Sequence, residues 1–148
     1  MTAVDGPWSA ADLQDFLEQA TIPLRLAVLT PAGRPWIVPL WFLYRDGTFR
    51  CATGRDAEII ERIEANPAVG FDVSTNEVPY RGVRGHGRVT VSPDEDKRLL
   101  RELLERYLGG TDSALATSLL ADDREEVKIT IQPDRLVTWD YASRMQDV

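Results

Sequence analysis

Side chains that do chemistry unaided are scarce in this sequence. Cysteine occurs once, as Cys51, and histidine once, as His86. A single thiol forms no internal disulfide, which fits a reducing, cytoplasmic setting. One thiol and one imidazole also fall short of an ordinary His/Cys zinc site. Lysine is confined to Lys97 and Lys128, and 24 acidic residues outnumber 17 basic ones, for a net charge of −7. Such a chain lacks the basic face that tracks a nucleic-acid backbone. No apolar run approaches the ~18 residues of a membrane span. The opening stretch MTAVDGPWSA has neither the basic nor the apolar region of a secretory leader. There is no GxSxG elbow, Walker loop or GxGxxG fingerprint. An enzyme built from this inventory would take its chemistry from a bound cofactor.

What is present is enough for a packed core. The 148 residues are 43% hydrophobic and 28% charged, which predicts one compact domain over residues 1–148. Ser9 and Asp12 form a Ser-x-x-Asp cap, and Leu13, Phe16, Leu17 and Ala20 share one face, so 9–20 reads as a helix. Apolar and β-branched runs predict strands over 24–30, 35–44, 48–53 and 68–74, with Pro39 marking an edge or a bulge in the second. Between them, 56–65 reads as a helix that stops before Asn66-Pro67. Residues 80–91 alternate: Val83, Gly85, Gly87, Val89 and Val91 face one way, and Arg84, His86, Arg88 and Thr90 the other. The three glycines of that strand point to a bend or a close approach by another backbone. A capping box of Ser92 and Glu95, with Pro93 at the first helical position, predicts a helix over 92–110. A shorter helix over 113–121 and strands over 126–132 and 136–141, joined by a turn at 133–135, complete the chain. The order α-β-β-β-α-β-β-α-α-β-β, with mostly short connections, predicts an α+β, mainly β fold: an antiparallel, Greek-key-like barrel with flanking helices.

Several residues have both a chemical and a structural reading. Cys51 is a nucleophile or a small packed residue, and His86 a general base or a solvated side chain on a polar strand face. In ATGRDAEIIERI, residues 52–63, a strand passes through Gly54 into a helix N-terminus, the usual frame of a phosphate cradle. Asp56 is also placed to cap that helix and Glu58 to complement its dipole, and both charges would repel a phosphate. Trp36 and Trp41 are either aromatic packing or a stacking wall for a flat ring. Tyr80, Arg81, Arg84 and Arg88 are either scattered solvated charge or a local anion site.

The stretch LAVLTPAGRPWIVPLWFLYRDGTFRCATG, a short helix, ANPAVGFDVS and the strand with RGHGRVTV occur in that order. Together with ELLERYLGG and VKITIQPDRLVTWDY, they resemble the pyridoxamine 5′-phosphate oxidase-like split β-barrel proteins over about residues 10–142. That resemblance implies a homodimer that binds FMN, or in some branches the deazaflavin coenzyme F-420, at the subunit interface and acts on a small organic substrate. Other branches have lost catalysis. The resemblance places the cofactor ring along the second strand at Ile37, Val38, Pro39 and Trp41, beside Trp36. Thr53, Gly54 and Arg55 fall beside the phosphate arm, Tyr80 at the side, and Trp139 and Arg144 toward the partner. It also exposes a departure. Where tight FMN binders carry an Arg and a Lys on the second strand, this chain has Trp36 and Trp41. Where they carry a Ser and a Lys at the helix start, it has Ala57 and Ile59. The alternative implied is a non-catalytic dimeric barrel with another small ligand and no flavin.

Overall fold

The computed structural model describes residues 2–146; Met1, Asp147 and Val148, within the expected 1–148 domain, lie outside the described residues. Helix α1 (Ala10–Gln19) starts where its cap predicts: the Asp12 N–H donates to Ser9 Oγ at 3.1 Å and the Ser9 N–H to Asp12 Oδ2 at 3.0 Å. Leu13 and Leu17 bury its apolar face. Strands β2 (Leu24–Leu29), β3 (Pro35–Leu40), β4 (Leu43–Arg45) and β5 (Thr48–Gly54) follow, then helix α2 (Glu58–Ala65) and strands β6 (Ala68–Ser74) and β7 (Arg81–Pro93). Helices α3 (Arg98–Leu108) and α4 (Ala114–Leu119) precede strand β8 (Glu126–Asp140). A short strand β1 (Ala3–Asp5), absent from the sequence reading, pairs in parallel with β8.

Among the described residues the sheet has eight strands in the order β3-β2-β6-β7-β8-β5-β4, with β1 added on β8. Every pairing except that of β1 is antiparallel. The two ends of this order, β3 and β4, are consecutive in the chain and joined only by Trp41 and Phe42. The sheet therefore closes through two residues of covalent chain and not through a ladder, which makes it a split barrel. Its interior is apolar: Phe42, Phe49, Phe71, Leu24, Leu26, Val73, Val83, Ile129, Ile131 and Leu136 are buried there with Cys51. Helix α2 adds Ile59, Ile60 and Ile63 to the same cluster.

Four expectations are corrected. The predicted 35–44 strand breaks after Leu40, and its register against β2 runs regularly through Pro39. Pro39 thus sits on an edge strand, as a residue without an N–H should, but makes no bulge. No turn interrupts 133–135, because β8 is continuous. Its irregularity is instead a register shift: His86 pairs with Arg135 and Gly87 with Pro133, leaving Asp134 as an extra residue. The glycines there do serve close approach: a Cβ on Gly85 would stand 2.3 Å from the Arg135 carbonyl oxygen, and one on Gly87 2.2 Å from that of Gln132. The Ser92–Glu95 capping box does not form, since β7 extends to Pro93. A 3-10 turn at Glu95–Lys97 intervenes, and α3 is capped by the buried Asp94 carboxylate, which accepts the N–H groups of Leu99 at 2.9 Å and Leu100 at 3.0 Å. Finally, Asp56 does not cap α2. The capping position is Ala57, which offers no side-chain acceptor.

Candidate functional site

Alternation along β3 splits its residues between two faces. Trp36, Val38 and Leu40 turn half-buried onto the core, while Pro35, Ile37 and Pro39 face out, with Ile37 64% exposed. Ile37 overlooks a shallow cavity of about 510 Å³ on the outer sheet face, whose floor is Ala27, Gly70 and Val137 and whose rim carries Arg25 and Arg84. The floor is low because Gly70 has no side chain: a Cβ there would first meet Gly85 O at 3.7 Å and Ala27 Cβ at 3.8 Å. The Arg84 guanidinium lies 5.2 Å from the Trp139 ring centroid. The basic run does not form one anion site. Arg84 borders this cavity, Arg81 borders a separate cleft with Trp8 and Asp140, and Arg88 is exposed.

The two tryptophans are held apart. Trp36 lies beneath Arg62 of α2, with the guanidinium 4.7 Å from its ring centroid, and Arg62 is paired with Glu58 at 2.5 Å. Trp41 stacks on Tyr107 of α3 at 5.0 Å and 10°, beside Ala52, Leu119 and Leu120. They form no common wall. Tyr107 is itself fixed: its hydroxyl donates to Ile22 O at 2.9 Å and accepts the Phe42 N–H at 3.2 Å, and burial raises its pKa.

At the end of β5, Thr53 and Gly54 pair with Val127 and Glu126 of β8. The Arg55 N–H donates to Glu125 O at 2.9 Å, and Arg55 joins a second cavity, of about 520 Å³, with Lys97, Arg101 and Arg124. Sequence reasoning missed Arg124 and Glu126. Arg124 lies in the turn two residues before Glu126, the first residue of β8, and its Nη2 donates to Glu126 Oε1 at 2.9 Å. Ala57 and Ile59 at the start of α2 offer a phosphate no side-chain donor, and Ile59 is 3% exposed in the core. With Trp36 and Trp41 packed as described, the four positions that grip phosphate in tight FMN binders do not fit that group here. Tyr80 is 41% exposed, and its carbonyl accepts the Tyr141 N–H at 2.9 Å. Arg144 lies over the Tyr141 ring at 4.7 Å.

Cys51 is fully buried and its pKa is pushed up to about 12 by desolvation, so its thiol is packing and not a nucleophile. His86 is exposed, with Nδ1 4.0 Å from Asp134 Oδ2. Among the described residues no group of three or more His, Cys, Asp or Glu could hold a metal ion, and no helix is long and apolar enough to cross a membrane.

Comparison with known proteins agrees with this architecture. No curated protein sequence matches significantly. A conserved hypothetical protein from Mycobacterium tuberculosis superposes with a TM-score of 0.75 at 23% identity, covering 95% of this chain and 90% of that one. An F420 reductase superposes with a TM-score of 0.68 at 25% identity, covering 82% and 94%. An FAD-binding protein from Mesorhizobium loti gives 0.61 at 24% identity, covering 87% and 92%. The family profile described as pyridoxamine 5′-phosphate oxidase matches residues 10–137. Sequence profile and barrel topology agree over nearly the whole described chain, and the protein belongs to the pyridoxamine 5′-phosphate oxidase-like split-barrel family.

Proposed function

We propose that this protein is a cytoplasmic, homodimeric oxidoreductase, a single split-barrel domain per subunit. It binds FMN or the deazaflavin coenzyme F-420 at the subunit interface. The cofactor, when bound, exchanges a hydride with a small organic substrate. The observation that carries this reading is family membership over residues 10–137. The outer sheet face supports it physically. Exposed Ile37 and Pro39, with the low floor of Ala27 and Gly70, offer an apolar surface for a flat ring and for a second copy. Arg25 and Arg84 border it with Asp72 in register between them, so the charge around the apolar surface is mixed. Thr53, Gly54 and Arg55 are the residues we assign to the arm of the cofactor, with Tyr80 at its side. No side-chain nucleophile is required, and the buried Cys51 provides none.

The test is a titration of the purified protein with FMN and with F-420, read by absorbance and fluorescence. Micromolar binding of either supports the reading. Micromolar binding of neither removes it and leaves a second one: a non-catalytic dimeric barrel with a different small ligand. A specific observation favours that alternative, namely that Trp36 and Trp41, at two of the gripping positions, are engaged by Arg62 and Tyr107.

A further inference from the structure

Beside Gly54 lies a charged pair built in an unusual way. Glu126 opens β8 with its side chain only 1% exposed. Removing a carboxylate from water is costly unless a charged partner and hydrogen bonds compensate. The partner is Arg124, which donates to Glu126 Oε1 from Nε at 3.3 Å and from Nη2 at 2.9 Å. Two donors on one buried oxygen fix the plane of the guanidinium. Its remaining edge is not covered: the Arg124 side chain is 40% exposed and faces the cavity of about 520 Å³ shared with Arg55, Lys97 and Arg101. Nη2 lies 3.4 Å from where a Cβ would stand on Gly54, which places the guanidinium against the end of β5. The cavity wall also holds carboxylates. Asp94 is committed to the α3 amides, Glu126 to Arg124, and Glu125 lies 3.9 Å from Arg55. Lys97 Nζ donates to Ala121 O and Arg101 Nε to Asp96 O, while Asp96 and Asp122 remain on the wall and disfavour a polyanion, so the open edge of Arg124 is the feature that faces a ligand.

We propose that Arg124, aimed by Glu126 over Gly54, binds the phosphate monoester end of the ligand, with Arg55 beside it. The inference rests on the reading that a cofactor arm runs past Thr53 and Gly54. It relocates the anion grip from the start of α2 to the start of β8, where a planar, charge-bearing fork suits a phosphoryl group. Glu126 is a positioning residue in this scheme.

Inorganic phosphate is the probe, titrated at low ionic strength into the full-length ¹⁵N-labelled protein. The amides of Gly54, Arg55 and Glu126 should shift together and saturate. Arg124→Gln should weaken that binding by about tenfold or more, and Arg124→Lys should restore little of it, because the ammonium lacks the fork. Glu126→Gln should weaken it in a protein whose melting curve is still cooperative. Arg88→Gln, on the exposed face of β7, should bind like the wild type. Shifts that never saturate, or that persist in Arg124→Gln, overturn the proposal. A parallel titration with FMN, F-420 and riboflavin separates this inference from the functional one. Phosphate binding at Arg124 with binding of neither FMN nor F-420 defeats the cofactor reading and leaves the site standing. A preference for FMN over riboflavin that survives Arg124→Gln defeats the site and leaves the cofactor reading standing.

Discussion

The Cys51 thiol is held neutral by its surroundings, and that makes it a pH probe. Its ordinary pKa of 9.0 is raised to about 12 by burial. Between those values the unfolded chain has released a proton that the folded chain retains. The stabilisation from this site is therefore complete below about pH 9 and declines as pH rises through the window. Cys51→Ala or Cys51→Val should flatten the alkaline limb of a denaturation-midpoint profile, and the native thiol should resist alkylation until the protein unfolds. Arg106 carries a different kind of stability. Its guanidinium donates to the carbonyls of Leu17, Glu18 and Ala20 at the end of α1. It also lies 5.2 Å from the Phe42 ring centroid. Arg106→Ala should cost about 2–4 kcal/mol in urea unfolding, since three carbonyls lose a charged donor. Cys51 was legible in the sequence as a small residue in an apolar run. Arg106, Arg124 and Glu126 were not, because each partner choice depends on which strand or helix arrives beside it. Ile59 stands where tight FMN binders carry a lysine, and the barrel shows where its side chain goes instead: it packs into the core with Ile60 and Ile63.

Two helix starts show where local rules lose to the sheet. Ser92, Pro93 and Glu95 satisfy every local signal for a helix N-terminus, yet β7 keeps Ser92 and Pro93 in register with Lys128 and Val127 of β8. Ladder pairing over thirteen positions, Arg81 to Pro93, outweighs a cap of about 1 kcal/mol. Asp94 then takes over the capping task across Asp96 and Lys97, whose φ angles of 58° and 53° are left-handed. Asp94→Ala should destabilise the protein by about 2–3 kcal/mol, measured by chemical denaturation, because two N–H groups lose a buried acceptor. Helix α2 presents the opposite case. Its capping residue, Ala57, makes no side-chain hydrogen bond, so Ala57→Ser should stabilise by about 0.5–1 kcal/mol. Pro133 misled for a third reason: it pairs opposite Gly87, where a bulge absorbs it within a continuous strand. Helix α1 and strands β2, β5 and β6 were legible to within a residue or two, because cap, turn and hydrophobic period agree there.

For the molecule as a whole, strand types and order were legible because turns and apolar runs alternate along the chain, but how the barrel closes was not. Closure depends on β3 and β4 lying at opposite ends of the strand order, and no local signal records that. The exposed face around Ile37 carries the dimer expectation. Sedimentation velocity should give a dimer for the wild type and a monomer for Ile37→Asp, with an unchanged circular dichroism spectrum in both. A monomeric wild type at micromolar concentration would remove the interface from the proposed function. Strand β8 has a further consequence, for the order of events in time. Of the seven ladders among the described residues, those with β1, β5 and β7 all require β8, and β8 follows every strand it pairs with. Its contacts with β1 join residues more than 130 positions apart. A nascent chain cannot complete the barrel until residues 126–140 have been synthesised, so folding is a late, high-contact-order step, and until then β5 and β7 expose edges to any neighbouring chain.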